Sequence, residues 1–301
     1  MTIAVTGATG FVGGHLLDAC AAAGLPVRAL TRRPQANREG VTWVEGALDH
    51  PDSLARLVEG TRAVVHVAGV VNAPDRAGFA AGNIAGTEAM LAAAQRAGVT
   101  RFVHVSSLAA REPDLSDYGW SKAEAERRVE ASPFAWTIVR PPAVYGPGDT
   151  EMLDLFRAAR TGIVPMPANG RASLIHAADL ARLLLTLERP DAAPHATLEP
   201  DDGRPDGWAH GELARAIGTA VGRRVVTLPV PPALLMLGAH ADRLLRGAKA
   251  KLTPDRARYM AHPDWVARQR PDPALWTPRI PTPVGLAETA AAYRANGWLK
   301  G

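Results

Sequence analysis

Tyr118 and Lys122 stand four residues apart in the stretch YGWSK. On a helix that spacing puts a phenol and an ammonium on one face. The ammonium favours the phenolate and draws its pKa from about 10 toward working pH. Such a phenol can exchange a proton with an alcohol or a carbonyl. The spacing is common by chance, so its weight comes from position. It follows the run RFVHVSS (101–107), which ends in Ser106 and Ser107. Far upstream lies TGATGFVGG, in which Gly7, Gly10 and Gly13 recur every third residue. An apolar, β-branched run (2–6) precedes these glycines and a helical pattern (11–24) follows them, with Gly24 as its stop. A strand-to-helix turn points backbone N–H groups and the positive end of a helix dipole at one spot, which suits a pyrophosphate. Missing Cβ atoms let the phosphate oxygens come close.

LTRRP (30–34) closes the second apolar run. A nucleotide ribose belongs at that place, and a carboxylate there would accept from the hydroxyls of an NAD ribose. Thr31, Arg32 and Arg33 occupy it instead. Two guanidinium groups and no acid suit the 2′-phosphate of NADP.

Elements of matching type surround these residues. Runs 27–30, 41–44, 63–69, 101–107 and 135–140 read as strands, and helical patterns lie at 51–59, 80–97 and 115–131. The alternation implies an α/β fold, a parallel sheet with helices on both faces, and ligands at the carboxyl ends of its strands. After RPPAVYGPGD (140–149) the rhythm changes. Helical patterns at 151–160, 177–188, 209–219 and 232–246 are punctuated by prolines. We expect a dinucleotide-binding domain over 1–148, to which the chain returns near 171–188. A smaller mixed lobe over 149–301 would bind substrate.

Bulk properties narrow the class. At 301 residues the chain can bury a large core. A net charge of +4, with both signs interspersed, argues against nucleic acid as a partner. The lone cysteine, Cys20, excludes an internal disulfide, suits a reducing compartment and is expected to pack inside the first helix. Strand residues begin at Thr2, and the apolar run LLMLGA (234–239) is too short for a bilayer. A cytoplasmic protein without a membrane span is therefore expected. No metal site is assigned.

Taken together, the segments resemble the extended short-chain dehydrogenase/reductase family, also described as NAD-dependent epimerase/dehydratase. In order they are TGATGFVGGH (6–15), VVHVAG (64–69), NIAGT (83–87), VHVSSLAA (103–110), YGWSK (118–122), VRPPAVYGPGD (139–149) and LIHAADLA (174–181). The resemblance covers roughly 1–190 and weakens beyond. It implies a Rossmann-type doubly wound sheet. It also implies roles: Tyr118 as the acid/base, Lys122 supporting it and holding the nicotinamide ribose, and Ser107 polarising the substrate oxygen. Ser106 points to the opposite side of its strand. Asn83 would relay a proton or shape the site. Gly7, Thr9, Gly10, Phe11, Val12 and Gly13 would cradle the pyrophosphate. Thr31, Arg32 and Arg33 would hold the ribose end, Ala68 and Gly69 would pass under the adenosine ribose, and Pro141 and Val144 would lie beside the nicotinamide. His66 and His104 read as structural. His176 would line the substrate cleft or pack a helix, and Trp265, Trp276 and Trp298 read as packing residues.

Departures from the family pattern narrow the chemistry. Ala47 replaces an Asp that contacts adenine, which leaves Leu48 and backbone. Leu108 and Ala109 stand where sugar 4,6-dehydratases carry an acidic pair. Ala172, Ser173 and Leu174 replace the Arg-Asp-aromatic run of sugar-nucleotide epimerases. What remains is an oxidoreductase that interconverts a carbonyl and a secondary alcohol by hydride transfer. It would prefer NADP(H), with NAD(H) as the other cofactor, and would act on a small to medium, partly apolar ketone or aldehyde. A sugar-nucleotide epimerase and a non-catalytic dinucleotide sensor or assembly subunit are the alternatives. The apolar run 228–247 would wall a pocket or form a subunit contact, as in a homodimer.

Overall fold

The computed structural model describes residues 2–247, 250 and 252–299. The strands are β1 (Thr2–Thr6), β2 (Val27–Thr31), β3 (Val41–Glu45), β4 (Thr61–His66), β5 (Arg101–Val105), β6 (Ala135–Val139), β7 (Ala143–Tyr145), β8 (Ile163–Pro167), β9 (Arg171–Ala172), β10 (Leu174–His176), β11 (Ala196–Leu198), β12 (Trp208–Ala209), β13 (Val226–Val230) and β14 (Asp264–Trp265). The α-helices are α1 (Phe11–Ala22), α2 (Pro51–Val58), α3 (Arg76–Phe79), α4 (Gly86–Arg96), α5 (Asp117–Glu130), α6 (Leu153–Thr161), α7 (Ala177–Leu187), α8 (His210–Ala220), α9 (Pro232–Arg246), α10 (Pro254–Met260) and α11 (Thr282–Ala295). A π-helical turn, Ala80–Ala85, precedes α4, and a 3₁₀ turn, Leu108–Arg111, follows β5.

The chain forms two compact units. The first holds 1–141, 177–200 and 269–277; the second holds the segments between and the C-terminal stretch. The first unit carries a seven-stranded sheet in the order β11-β6-β5-β4-β1-β2-β3. Every pairing in it is parallel. This is an α/β Rossmann-like fold. Parallel strands are covered on both faces, so their residues run apolar without alternation. Ile3–Val5 and Ala63–Val65 are fully buried in that manner. Leu54, Leu57, Met90, Phe102 and Ile138 pack together where α2 and α4 cover the sheet. Strand order reverses between β1 and β4, so the loops after Thr6 and His66 meet at the switch point where such sheets bind ligands.

Arg101 ties the returning segment to the sheet. It is fully buried at the start of β5. Its Nε donates to the Leu187 carbonyl at 2.7 Å and Nη1 to Ala135 at 2.6 Å. Nη2 donates to Thr137 Oγ1 and to the Ala192 carbonyl, each at 2.7 Å. Burial lowers its pKa to about 10, opposed by the charges of Asp191 and Glu188.

The second unit is built from short sheets. β7 pairs with β10, β8 with β13, and β9 lies between β12 and β14. Phe156, Leu213, Ile217, Leu286 and Tyr293 form its core. Asp149 caps the turn before α6 by accepting from the amides of Glu151 and Met152, and it accepts from the Tyr293 hydroxyl at 3.2 Å.

Strand 63–69 of the sequence reading stops at His66, because Ala68 turns its amide onto Thr6 Oγ1. The expected helix at 80–97 begins at Arg76, where Asp75 caps α3 by accepting from Gly78 N, and it loosens to a π turn at Asn83. Nothing in the local pattern announced α10, α11 or the short strands of the second unit.

Arg101→Met should lower stability by about 3 kcal/mol or more, since four buried acceptors lose their donor. Urea unfolding would show a lower midpoint at an unchanged m value. A midpoint within error of wild type would remove Arg101 from this role.

Candidate functional site

The glycine turn owes its shape to two contacts. Gly7 sits at φ +69° between β1 and α1, and a Cβ there would come within 2.7 Å of the Ala68 amide nitrogen. A Cβ on Gly13 would lie 2.1 Å from the Gly7 carbonyl oxygen. Both glycines let α1 start hard against the strand end. Gly10 is the N-cap and brings no side chain to the first-turn amides. Thr9 and Gly10 are exposed, and Phe11 and Val12 half-buried. The turn is therefore open to an anion at the positive end of α1.

Thr31 is buried at the end of β2. Its hydroxyl donates to the Arg33 carbonyl at 2.6 Å and accepts from the Arg33 amide at 3.3 Å. That local turn displays Arg32 and Arg33 to solvent. Leu48 leans on α4, where a Cβ on Gly86 would meet its Cδ1 at 2.8 Å.

A buried polar chain starts at Thr6. The hydroxyl of Thr6 lies 2.8 Å from His66 Nδ1, and His66 Nε2 lies 3.2 Å from Thr87 Oγ1. Thr87 spends its own proton on the Asn83 carbonyl at 2.7 Å, so it must accept from His66. That assigns the proton of His66 to Nε2 and makes Thr6 the donor to Nδ1. Asn83 continues the chain. Its Oδ1 accepts from the Val70 amide at 2.7 Å. Its Nδ2 donates to the Val70 carbonyl and to Ser121 Oγ, at 3.0 and 2.9 Å. Ser121 donates to the Tyr118 carbonyl at 2.8 Å. Both amide hydrogens of Asn83 are thus engaged by protein groups, and the side chain clamps the loop after β4 to α5.

Lys122 is buried, and its Nζ donates to the Val105 carbonyl at 2.8 Å. A Cβ on Gly69 would approach Asn83 Oδ1 at 3.1 Å and Lys122 Nζ at 3.5 Å, so glycine leaves room for both groups. Burial lowers the Lys122 pKa to about 8, against the raising effect of Glu126. Tyr118 lies half-buried in the first turn of α5, its ring 6.0 Å from that of Phe79. The first turn of α5 presses on the 3₁₀ turn, since a Cβ on Gly119 would reach the Ala109 carbonyl at 2.7 Å. Ser107 caps that 3₁₀ turn by accepting from the Ala109 amide at 3.2 Å. Leu108 donates its amide to the Pro141 carbonyl at 3.0 Å.

Gly69, Asn83 and Lys122 are thus brought together, the backbone of Tyr118 is tied to Asn83 through Ser121, and Ser107 and Pro141 bond to the adjoining 3₁₀ turn. Val144 belongs to the second unit, on β7 opposite Ile175. His176 packs in that unit, its ring edge-on to Tyr145 at 5.3 Å. Trp265 donates its indole N–H to the Tyr259 carbonyl, while Arg182 lies over the ring of Trp276. Trp298 is only partly covered, at 36% exposure. Cys20 is buried, and burial raises its pKa to about 11. Ser106 Oγ is buried without a hydrogen-bond partner among the described residues. His104 is buried too, its ring 5.5 Å from that of His66.

Sequence reasoning missed Thr6, Thr87 and Ser121 as parts of the site. It also missed Arg140, which clasps Glu126 of α5 through Nε at 2.9 Å and Nη2 at 2.5 Å. Thr87 at four residues from Asn83, and Glu126 at four from Lys122, were the available signals.

The chain matches the model of the NAD dependent epimerase/dehydratase family over residues 3–198, and it belongs to that family. Within it the chain is an NAD(P)-dependent reductase, an enzyme acting on a small molecule. It is 39% identical to a ceramide reductase of Caulobacter vibrioides, over 99% of this chain and 96% of that one. It is 34% identical to a 4-hydroxy-2-methyl-3-oxo-4-farnesyl-3,4-dihydroquinoline-1-oxide ketoreductase of Stigmatella aurantiaca, over 62% and 64%. The human epimerase family protein SDR39U1 with NADPH shares the fold at a TM-score of 0.76 and 21% identity, over 97% and 99% of the two chains. No helix among the described residues is long and apolar enough to cross a membrane.

His66 supplies a test of the polar chain. Burial first, and the charge of Lys122 second, lower its pKa from 6.5 to about 3. The folded protein then binds fewer protons than the unfolded chain between those values. Its contribution to stability is full above about 6.5 and is lost as pH falls toward about 3. At pH 5 the loss amounts to about 1–2 kcal/mol. Urea midpoints at pH 7 and pH 5 should converge more in His66→Asn than in wild type. Equal slopes in both proteins would contradict the buried neutral imidazole.

Proposed function

We propose that the protein reduces a carbonyl on a ceramide-like lipid with NADPH, using Ser107, Tyr118 and Lys122. The observation that carries this reading is the buried Lys122 on the helix of Tyr118, fixed by Val105 and surrounded by Gly69 and Asn83. An ammonium has three protons. The Val105 carbonyl takes one, which leaves two for the Tyr118 phenol and a ribose hydroxyl. With a pKa of about 8 the lysine is still mainly charged at neutral pH.

The residues of the glycine turn fit a dinucleotide. Side chains at Gly7 and Gly13 would collide with backbone, and Gly10 leaves the first-turn amides of α1 without a side-chain cap. Gly7, Thr9, Gly10, Phe11, Val12 and Gly13 would hold the pyrophosphate. Leu48, Ala68 and Gly69 would hold the adenosine, with Pro141 toward the nicotinamide. Arg32 and Arg33 would bind a 2′-phosphate, which is the ground for NADPH over NADH. When bound, the nicotinamide supplies a hydride to the carbonyl carbon. Tyr118 gives its hydroxyl proton to the carbonyl oxygen, and Ser107 donates a hydrogen bond to the same oxygen. Lys122 stabilises the phenolate left behind. Asn83 is a positioning residue that holds α5 and the loop after β4 in register. The second unit would be the substrate lobe. The lipid class is supported by the full-length similarity to a ceramide reductase.

NADPH oxidation measured with the keto form of a ceramide in mixed micelles, beside short water-soluble ketones, tests the substrate class. Tyr118→Phe should keep NADPH binding and lose about 10²-fold or more in turnover, the scale of general acid–base catalysis. Normal turnover in that variant would remove Tyr118 from the chemistry.

Cofactor choice has its own test. Changing Arg32 and Arg33 to Ala should weaken NADPH by about tenfold or more, through loss of charge-assisted bonds, and leave NADH nearly unchanged. Fluorescence titration of both nucleotides reads this out. Equal or tighter NADH binding by the wild type would overturn the preference.

A further inference from the structure

Helix α9 packs on α10 and buries Ala239, with Leu235 and Met236 half-buried. A second apolar stripe faces solvent. Leu234, Leu237, Ala241, Leu244 and Leu245 recur at helical spacing within an arc of about 100°. The four leucines are 57%, 66%, 87% and 83% exposed. The strand that leads into α9 also exposes apolar residues: Val226 and Leu228 of β13 and Ile163 of β8 are more than half exposed. Val226 and Ile163 are register partners and share one face of the ribbon. These leucines of the apolar run 228–247 are turned to solvent. Patches of this kind mark protein or membrane contacts.

Charge selects between the two. Residues 223–252 contain Arg223, Arg224, Arg243, Arg246, Lys249 and Lys251 against one acid, Asp242. This short segment is therefore more positive than the whole chain, whose net charge is +4. Lys249 and Lys251 lie outside the described residues; the four arginines are exposed. A second copy of the chain would bring the same positive charge to the face. An anionic bilayer offers an apolar layer beneath negative headgroups. At 15 residues α9 is too short to span that bilayer but long enough to lie in its interface.

We infer that α9, with the exposed edge of β8 and β13, docks the protein on the surface of an anionic lipid bilayer. The inference deepens the lipid-substrate reading, since it places the enzyme where such a substrate resides. It uses none of the residues assigned to catalysis, so the two can fail separately.

The test is co-sedimentation of the full-length protein with large unilamellar vesicles. One set is phosphatidylcholine alone; the other includes about 30% phosphatidylglycerol to supply surface charge. Binding is expected to the anionic set, weaker to the neutral set, and reduced when NaCl rises from about 0.1 to 0.5 M. The variant L234E/L237E/L244E/L245E should bind about tenfold or more weakly, because burial of the stripe drives insertion. L244E/L245E, confined to the two most exposed leucines, should show a partial loss with an unchanged circular dichroism spectrum and thermal midpoint. Absence of binding at low salt, equal binding to both vesicle types, or undiminished binding by a folded variant would overturn the inference. So would a stable dimer in light scattering that L244E/L245E dissolves, which would give the face to a second copy.

Discussion

The first unit depends on one buried chain of hydrogen bonds, from Thr6 through His66 and Thr87 to Asn83, and on through Ser121 to the backbone of Tyr118. Every side chain in it before Tyr118 is buried. Water cannot satisfy these groups, so each member must find its partner inside the protein. That requirement fixes the side-chain rotamers and the imidazole tautomer together. It also fixes distances between elements. Thr6 ends β1 beside the glycine turn, and Ser121 lies on the helix of Tyr118. The glycine turn and the helix of Tyr118 are therefore held in register by the same bonds.

A second constraint acts on α5. Lys122 brings a charge into a buried place, which is costly unless the charge is paired or hydrogen-bonded. The Val105 carbonyl supplies one partner, and Glu126 one turn further supplies a counter-charge. Glu126 is in turn clasped by Arg140 at the end of β6, and Arg140 lies 3.9 Å from Glu199 in the segment that follows β11. The helix cannot slide along the sheet without breaking these pairs. Its register against β5 and β6, and with it the place of Tyr118, follows from satisfying buried charge.

The second unit obeys a different logic. Its core of aromatic and aliphatic residues closes over α6, α8 and α11, and Asp149 satisfies the turn before α6. α9 adds little to that core. It spends one face on α10 and leaves the other to solvent, in a segment whose described residues hold four arginines and one acid. The exposed leucines and the local arginines are the ground on which we infer docking to an anionic bilayer.

Much of this was legible in the sequence. The runs 2–6, 27–30, 41–44 and 135–140 were legible because short stretches rich in apolar and β-branched residues favour strands, and they fall on β1, β2, β3 and β6. Each is local enough to read without its neighbours. Gly7, Gly10 and Gly13 announced a turn, and YGWSK announced a phenol and an ammonium on one helix face, because both follow from chain geometry over a few residues. The sequence could not show that the strand after 63 would stop at His66, since that depends on Ala68 meeting Thr6 across the sheet. It could not show Asn83 as a clamp on Val70, Arg101 as the tie to the returning chain, or Arg140 as the holder of Glu126. Nor did the apolar run 228–247 reveal which of its leucines would face outward. Those outcomes rest on groups far apart in sequence that satisfy or cover one another only after folding. Local pattern determined the elements and the kinds of chemistry; tertiary structure alone decided the partners, because burial and hydrogen-bond satisfaction are properties of the packed whole.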